Sequence, residues 1–140
     1  MTVLLDSSVW IDLFADRPTI QTEVGRRLIT QSERIVVGDL VLTEVLQGTR
    51  DRQDFERKLT RLKLFDPLTI VDGKVATQAA RNYQHLRELG ITVRKTIDTL
   101  IATRCILDNI PLLYSDRDFD PFVQHLGLRS ALDNPGDHHA

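Results

Sequence analysis

At 140 residues the chain is long enough for one domain with a hydrophobic core and too short for two. Hydrophobic (41%) and charged (27%) shares are ordinary for a globular protein. No apolar run approaches the ~20 residues of a membrane span, and the N-terminal MTVLLDSSVWID lacks the basic start of a secretory signal. A net charge of −2 counts against a broad cationic footprint for non-specific nucleic-acid binding but not against an enzyme whose acids surround a bound cation, so global charge does not decide between them.

Residues 2 to 5 are apolar and β-branched and predict a short buried strand ending at Asp6. Ser7 and Ser8 offer caps for a helix carrying Val9, Trp10, Ile11, Leu13 and Phe14, which Asp16-Arg17-Pro18 breaks. Helical spacing of Ile20, Val24, Leu28 and Ile29 predicts a helix over 19–31. Ile35-Val36-Val37 reads as a second strand, followed by Gly38 and a helix with Asp39 as N-cap and Gly48 as its stop. Residues 51 to 64 predict a charged helix with a narrow stripe of Phe55, Leu59 and Leu62. Pro67 then ends it, and residues 68 to 71 predict a third strand. Asp72 caps a long helix to about Leu89, closed by Gly90. Thr96 is a candidate cap for the next helix, which ends near Asn109; its apolar face takes in Cys105, the chain's single cysteine, expected to pack as a small hydrophobe. Leu112-Leu113-Tyr114 is a last strand, Phe119, Phe122 and Leu126 suggest a terminal helix, and residues 133 to 140 read as a polar tail.

Short apolar strands alternating with amphipathic helices imply a single α/β/α sandwich over residues 1–132, with a short-stranded central parallel sheet. Sites in such sheets form beyond the carboxyl ends of the strands. Asp6 and Asp116 follow the first and last strands, Glu44 lies in the helix fed by the second, and Asp98 sits in the first turn of a later helix. Asp39 is explained by its capping position. Glu44 is not so explained, because it interrupts the apolar run Leu40-Val41-Leu42-Thr43-Glu44-Val45-Leu46, where an unpaired carboxylate would be costly. Convergent carboxylates repel one another unless a hard cation neutralises them, and no Cys/His set with zinc spacing is present. Such clusters suit phosphoryl chemistry.

Four stretches in order resemble the sequence blocks of PIN-domain nucleases, especially the VapC-type toxins of bacterial toxin–antitoxin modules. They are Leu4-Leu5-Asp6-Ser7-Ser8-Val9-Trp10-Ile11, Leu42-Thr43-Glu44-Val45-Leu46-Gln47-Gly48, Thr96-Ile97-Asp98-Thr99-Leu100-Ile101-Ala102 and Leu112-Leu113-Tyr114-Ser115-Asp116-Arg117-Asp118-Phe119. The resemblance implies an endoribonuclease dependent on Mg²⁺ or Mn²⁺, leaving 5′-phosphate and 3′-hydroxyl ends. It also implies a homodimer inhibited by a small VapB-like antitoxin. Carried onto this chain, the metal-binding and catalytic acids are Asp6, Glu44, Asp98 and Asp116, with no substitution among the four. Ser7, Ser8 and Ser115 are candidates for orienting ligands or water. Arg94, Lys95 and Arg117 are candidates for holding the RNA backbone, and Asp118 and Asp120 are further acids nearby. The stripe of Phe55, Leu59 and Leu62 serves either the core or an antitoxin groove. A cytoplasmic location is expected.

Other classes fit less well. A haloacid-dehalogenase-type phosphatase needs an aspartate where Ser8 stands, and a receiver domain needs paired acids where this chain has Asp6-Ser7. A PIN nuclease that is not a toxin, and a module that binds RNA or a partner without cleaving, stay open on these residues alone.

Overall fold

The structure, a computed structural model, describes residues 1–133, so the expected polar tail lies outside the described residues apart from Asp133. Four strands form one sheet: β1 (Thr2–Leu5), β2 (Arg34–Gly38), β3 (Asp66–Leu68) and β4 (Leu112–Leu113). Their spatial order is β3-β2-β1-β4 and every pairing is parallel. Leu4 is the centre of the register, opposite Val36 on one side and Leu112 on the other. Val3, Leu4 and Leu5 are all fully buried. Since successive strand residues point to opposite faces, helices must cover both.

Those helices are α1 (Ser7–Phe14), α2 (Ile20–Thr30), α3 (Asp39–Gln47), α4 (Arg52–Leu62), α5 (Gly73–Glu88), α6 (Thr96–Leu107) and α7 (Asp120–Leu126). None of the helices in the described residues is long and apolar enough to cross a membrane. Trp10 and Phe65 close one flank with ring centroids 5.1 Å apart, and the apolar side chains of the sheet form one continuous core with those of α1, α3, α5 and α6.

Several boundaries differ from the sequence reading. Helix α1 begins at Ser7, so Asp6 itself occupies the N-cap position. Helix α6 begins at Thr96, with Lys95 at its cap. Strand β3 starts at Asp66 and contains Pro67, two residues earlier than the apolar run suggested. Proline is tolerated there because β3 is an edge strand, with no partner on its outer side among the described residues. Ile70, expected in that strand, is instead a fully buried loop residue. Its side chain leans on Gly38, where an added Cβ would come within 2.8 Å of Ile70 Cδ1. Gly38, not Asp39, is the N-cap residue of α3. The Asp39 carboxylate accepts the Leu40 amide at 2.8 Å and, across the fold, the Ile70 amide at 3.0 Å. In the charged helix α4, the buried Asp54 accepts from Arg57 at 2.6 Å and Lys58 at 3.2 Å, so two of the helix's own cations clamp an internal carboxylate.

Because all strands run the same way, their carboxyl ends open on one edge. Asp6 leaves β1 there, α3 leaves β2, and Ser115 and Asp116 follow β4 by two and three residues. The connection before α6 brings Arg94, Lys95 and Asp98 to the same edge, where Lys95 meets Asp116.

Candidate metal centre

Asp6 is 4% exposed, and its Oδ2 accepts the Ser8 hydroxyl at 3.1 Å. Burial pushes its carboxyl up to about 6. The Ser7 amide and the Ser8 hydroxyl and amide oppose that shift, and Glu44 adds to it through repulsion. Asp98, also 4% exposed, projects from the first turn of α6. Burial raises it to about 7, reinforced by the charges of Asp6, Asp116 and Glu44 and opposed by Lys95. Asp98 is thus the acid on which the other three act.

Asp116 caps a 3-10 turn over Arg117–Phe119, its Oδ1 accepting the Asp118 amide at 2.9 Å. That turn swings Asp118 inward, so that one carboxylate oxygen each from Asp98, Asp116 and Asp118 lie within 4.8 Å of one another. From sequence Asp118 is only a further acid nearby; its alternation with Asp116 is the available signal, but the turn is what brings it in. Asp120 goes elsewhere and accepts the Tyr114 hydroxyl at 2.8 Å.

The unpaired atoms are informative. Among the described residues, three buried carboxylate oxygens have no hydrogen-bond partner: Asp6 Oδ1, Glu44 Oε1 and Asp98 Oδ2. All belong to the four acids singled out from sequence. Buried acceptors normally find a donor, and leaving one unmade is costly. The hydroxyls of Ser115 and Thr99 are buried and unpartnered as well. Oxygen-only donors with spare lone pairs, packed with mutual repulsion, fit a hard divalent cation, and the residues present match that donor chemistry.

The basic candidates sit beside the acids. Arg94 donates to Asp118 at 3.0 Å and Lys95 to Asp116 at 3.3 Å, while Arg117 is exposed. Ser7 is half-buried at the start of α1.

Comparison with known proteins gives the family and the fold. A family model described as the PIN domain matches residues 3–122, and the chain belongs to that family. Ribonuclease VapC11 of Mycobacterium tuberculosis is 31% identical over 131 residues, covering 92% of this chain and 97% of that protein, and a VapC ribonuclease of Mycobacterium bovis matches equally. In fold, the chain is similar to VapBC2 from Rickettsia felis, solved bound to a DNA fragment from their promoter. That match has a TM-score of 0.71 at 17% identity and covers 93% of this chain and 97% of the other. It is also similar to VapC20 of Mycobacterium tuberculosis, described as a sarcin-ricin loop cleaving toxin (TM-score 0.60, 14% identity, 84% and 92% covered).

Proposed function

We propose that this protein is the toxin of a toxin–antitoxin pair, an endoribonuclease that hydrolyses RNA phosphodiesters at a Mg²⁺ or Mn²⁺ site. In this reading Asp6, Asp98 and Asp116 hold the principal ion, and Glu44 serves as a further ligand or as acceptor for the proton of the attacking water. The observation that carries it is the set of three buried, unpartnered carboxylate oxygens on Asp6, Glu44 and Asp98. The 31% identity to VapC ribonucleases over nearly the whole chain supports the same chemistry.

A divalent ion bound by these acids supplies positive charge that polarises the phosphoryl group and makes a bound water more acidic. The chain's own residues do the rest. Ser8 orients Asp6 through its hydroxyl, and Ser7 lies next to the same carboxylate. Glu44 keeps an oxygen free of donors, which suits it to take up a proton. Ser115, with its buried hydroxyl unpaired, is available to a ligand water. Arg94, Lys95 and Arg117 flank the acids and offer charge to the RNA backbone, which fixes the strand's position without reading its sequence.

The partner in this reading is a small VapB-like antitoxin. The neighbouring fold in Rickettsia felis was solved as a VapBC assembly. Homodimerisation and a cytoplasmic setting belong to the same proposal. Asp6→Asn tests it: the purified variant should keep its fold and lose Mg²⁺-dependent RNA cleavage, and its induced expression should no longer arrest growth. Cleavage at the wild-type rate would end the proposal.

A further inference from the structure

We infer that Lys95 is a built-in counter-ion of the acidic site, with Arg94 as its companion: it pairs with the acids when no divalent ion is bound and is released toward the RNA backbone when one binds. The inference rests on the metal-site reading above and adds a coupling between metal loading and the grip on substrate.

The geometry sets the two roles in competition. Asp116 has both oxygens engaged, Oδ1 by the Asp118 amide at 2.9 Å and Oδ2 by Lys95 Nζ at 3.3 Å. Asp118 is engaged in turn by Arg94, at 3.0 Å through one oxygen and 3.4 Å through the other. These two acids, with Asp98, are the three whose oxygens approach within 4.8 Å. A cation held there by Asp116 Oδ2 competes with the Lys95 ammonium for the charge of the same oxygen. Lys95 is the cation that also opposes the upward shift of Asp98, so its charge is felt by more than its direct partner.

Displacement is cheap. The Lys95 side chain is 57% exposed and that of Arg94 77% exposed. Ion pairs at such sites contribute little, since water screens them and long side chains lose freedom to make them. Both residues are fixed by their backbone at the start of α6, three and four residues before Asp98. Once released, their heads stay within a side chain's length of the acids, where a scissile phosphate must lie. Coupling of this kind is reciprocal: what favours the ion favours the phosphate.

Mn²⁺ binding to the full-length protein without RNA, measured by calorimetry or by the electron paramagnetic resonance of free Mn²⁺, tests the idea. Lys95→Met should tighten the Mn²⁺ Kd by about threefold to fivefold, the range expected for losing one exposed competing ion pair. Lys95→Arg should stay near wild type. Arg117→Met removes an equal charge from an exposed position and should change the Kd by much less. In steady-state cleavage of a single-stranded RNA, Lys95→Met should raise KM several-fold while kcat moves less than twofold. An Mn²⁺ affinity in Lys95→Met equal to or weaker than wild type, an equal tightening in Arg117→Met, or an unchanged KM would each overturn the inference. Asp98→Asn separates this from the site itself. If wild-type protein binds Mn²⁺ and Asp98→Asn does not, the metal centre stands whatever Lys95 does. If neither binding nor its loss is seen, both readings fall.

Discussion

The Ser8 hydroxyl donates to Asp6 Oδ2 at 3.1 Å and leaves Oδ1 of the same buried carboxylate without a partner. One oxygen is thereby held and the other presented. Ser8→Ala removes the orienting donor, so Mn²⁺ affinity should fall about tenfold, the lower end of what losing a ligand-orienting partner costs in metal sites. Ser8→Thr, which keeps the hydroxyl, should bind close to wild type. Calorimetry on both variants checks this, and equal affinities for the alanine variant and wild type would show that Asp6 is oriented by other means.

Stability should depend on pH with a sign set by the raised acids. Asp6 is pushed up to about 6 and Asp98 to about 7, against 3.8 for an ordinary aspartate. Between about pH 4 and pH 7 the folded state therefore holds more protons than the unfolded chain. Stability without metal falls as pH rises through that window, by up to about 1.4 kcal/mol per pH unit for each group. With EDTA present the melting temperature should be higher at pH 5 than at pH 7.5. Added Mg²⁺ should raise it, and more strongly at pH 7.5, where the ligands are ionised. A melting temperature in EDTA that climbs from pH 5 to 7.5 would contradict the burial of these two charges.

Asp98→Asn should separate stability from function. It removes a buried charge that three neighbouring carboxylates disfavour, so without metal at pH 7.5 the variant should melt higher, by on the order of 5 °C. Mn²⁺ binding and RNA cleavage should be lost together. A differential scan with and without Mn²⁺ reads both effects in one experiment.

Asp39→Ala should do the opposite. Asp39 ties the start of α3 to the loop after β3 through the Ile70 amide at 3.0 Å. Losing that acceptor leaves a backbone N–H unpaired beside a fully buried side chain and should cost about 1–3 kcal/mol in urea unfolding. RNA cleavage per folded molecule should stay within twofold of wild type. A loss of metal binding would instead place Asp39 in the centre.

Much of this protein was determined locally. Apolar β-branched runs dictated β1 and β2, Gly90 closed α5 as its positive φ of 83° requires, and the strand-end positions of Asp6 and Asp116 followed from the alternation of strands and helices. Glu44 betrayed itself by interrupting an apolar stretch. Tertiary structure decided what depends on neighbours remote in sequence. Pro67 stands inside a strand because β3 happens to be an edge, and Asp39, one residue past the N-cap, serves Ile70 across the fold as well as the first turn of α3. Asp118 joins the acids because a 3-10 turn rotates it inward, and Lys95 and Arg94 spend their charge on Asp116 and Asp118. Hydrophobic periodicity is a property of adjacent residues and can be read along the chain. Burial, repulsion and ion pairing between distant carboxylates and cations arise only when the parallel sheet brings its strand ends to one edge.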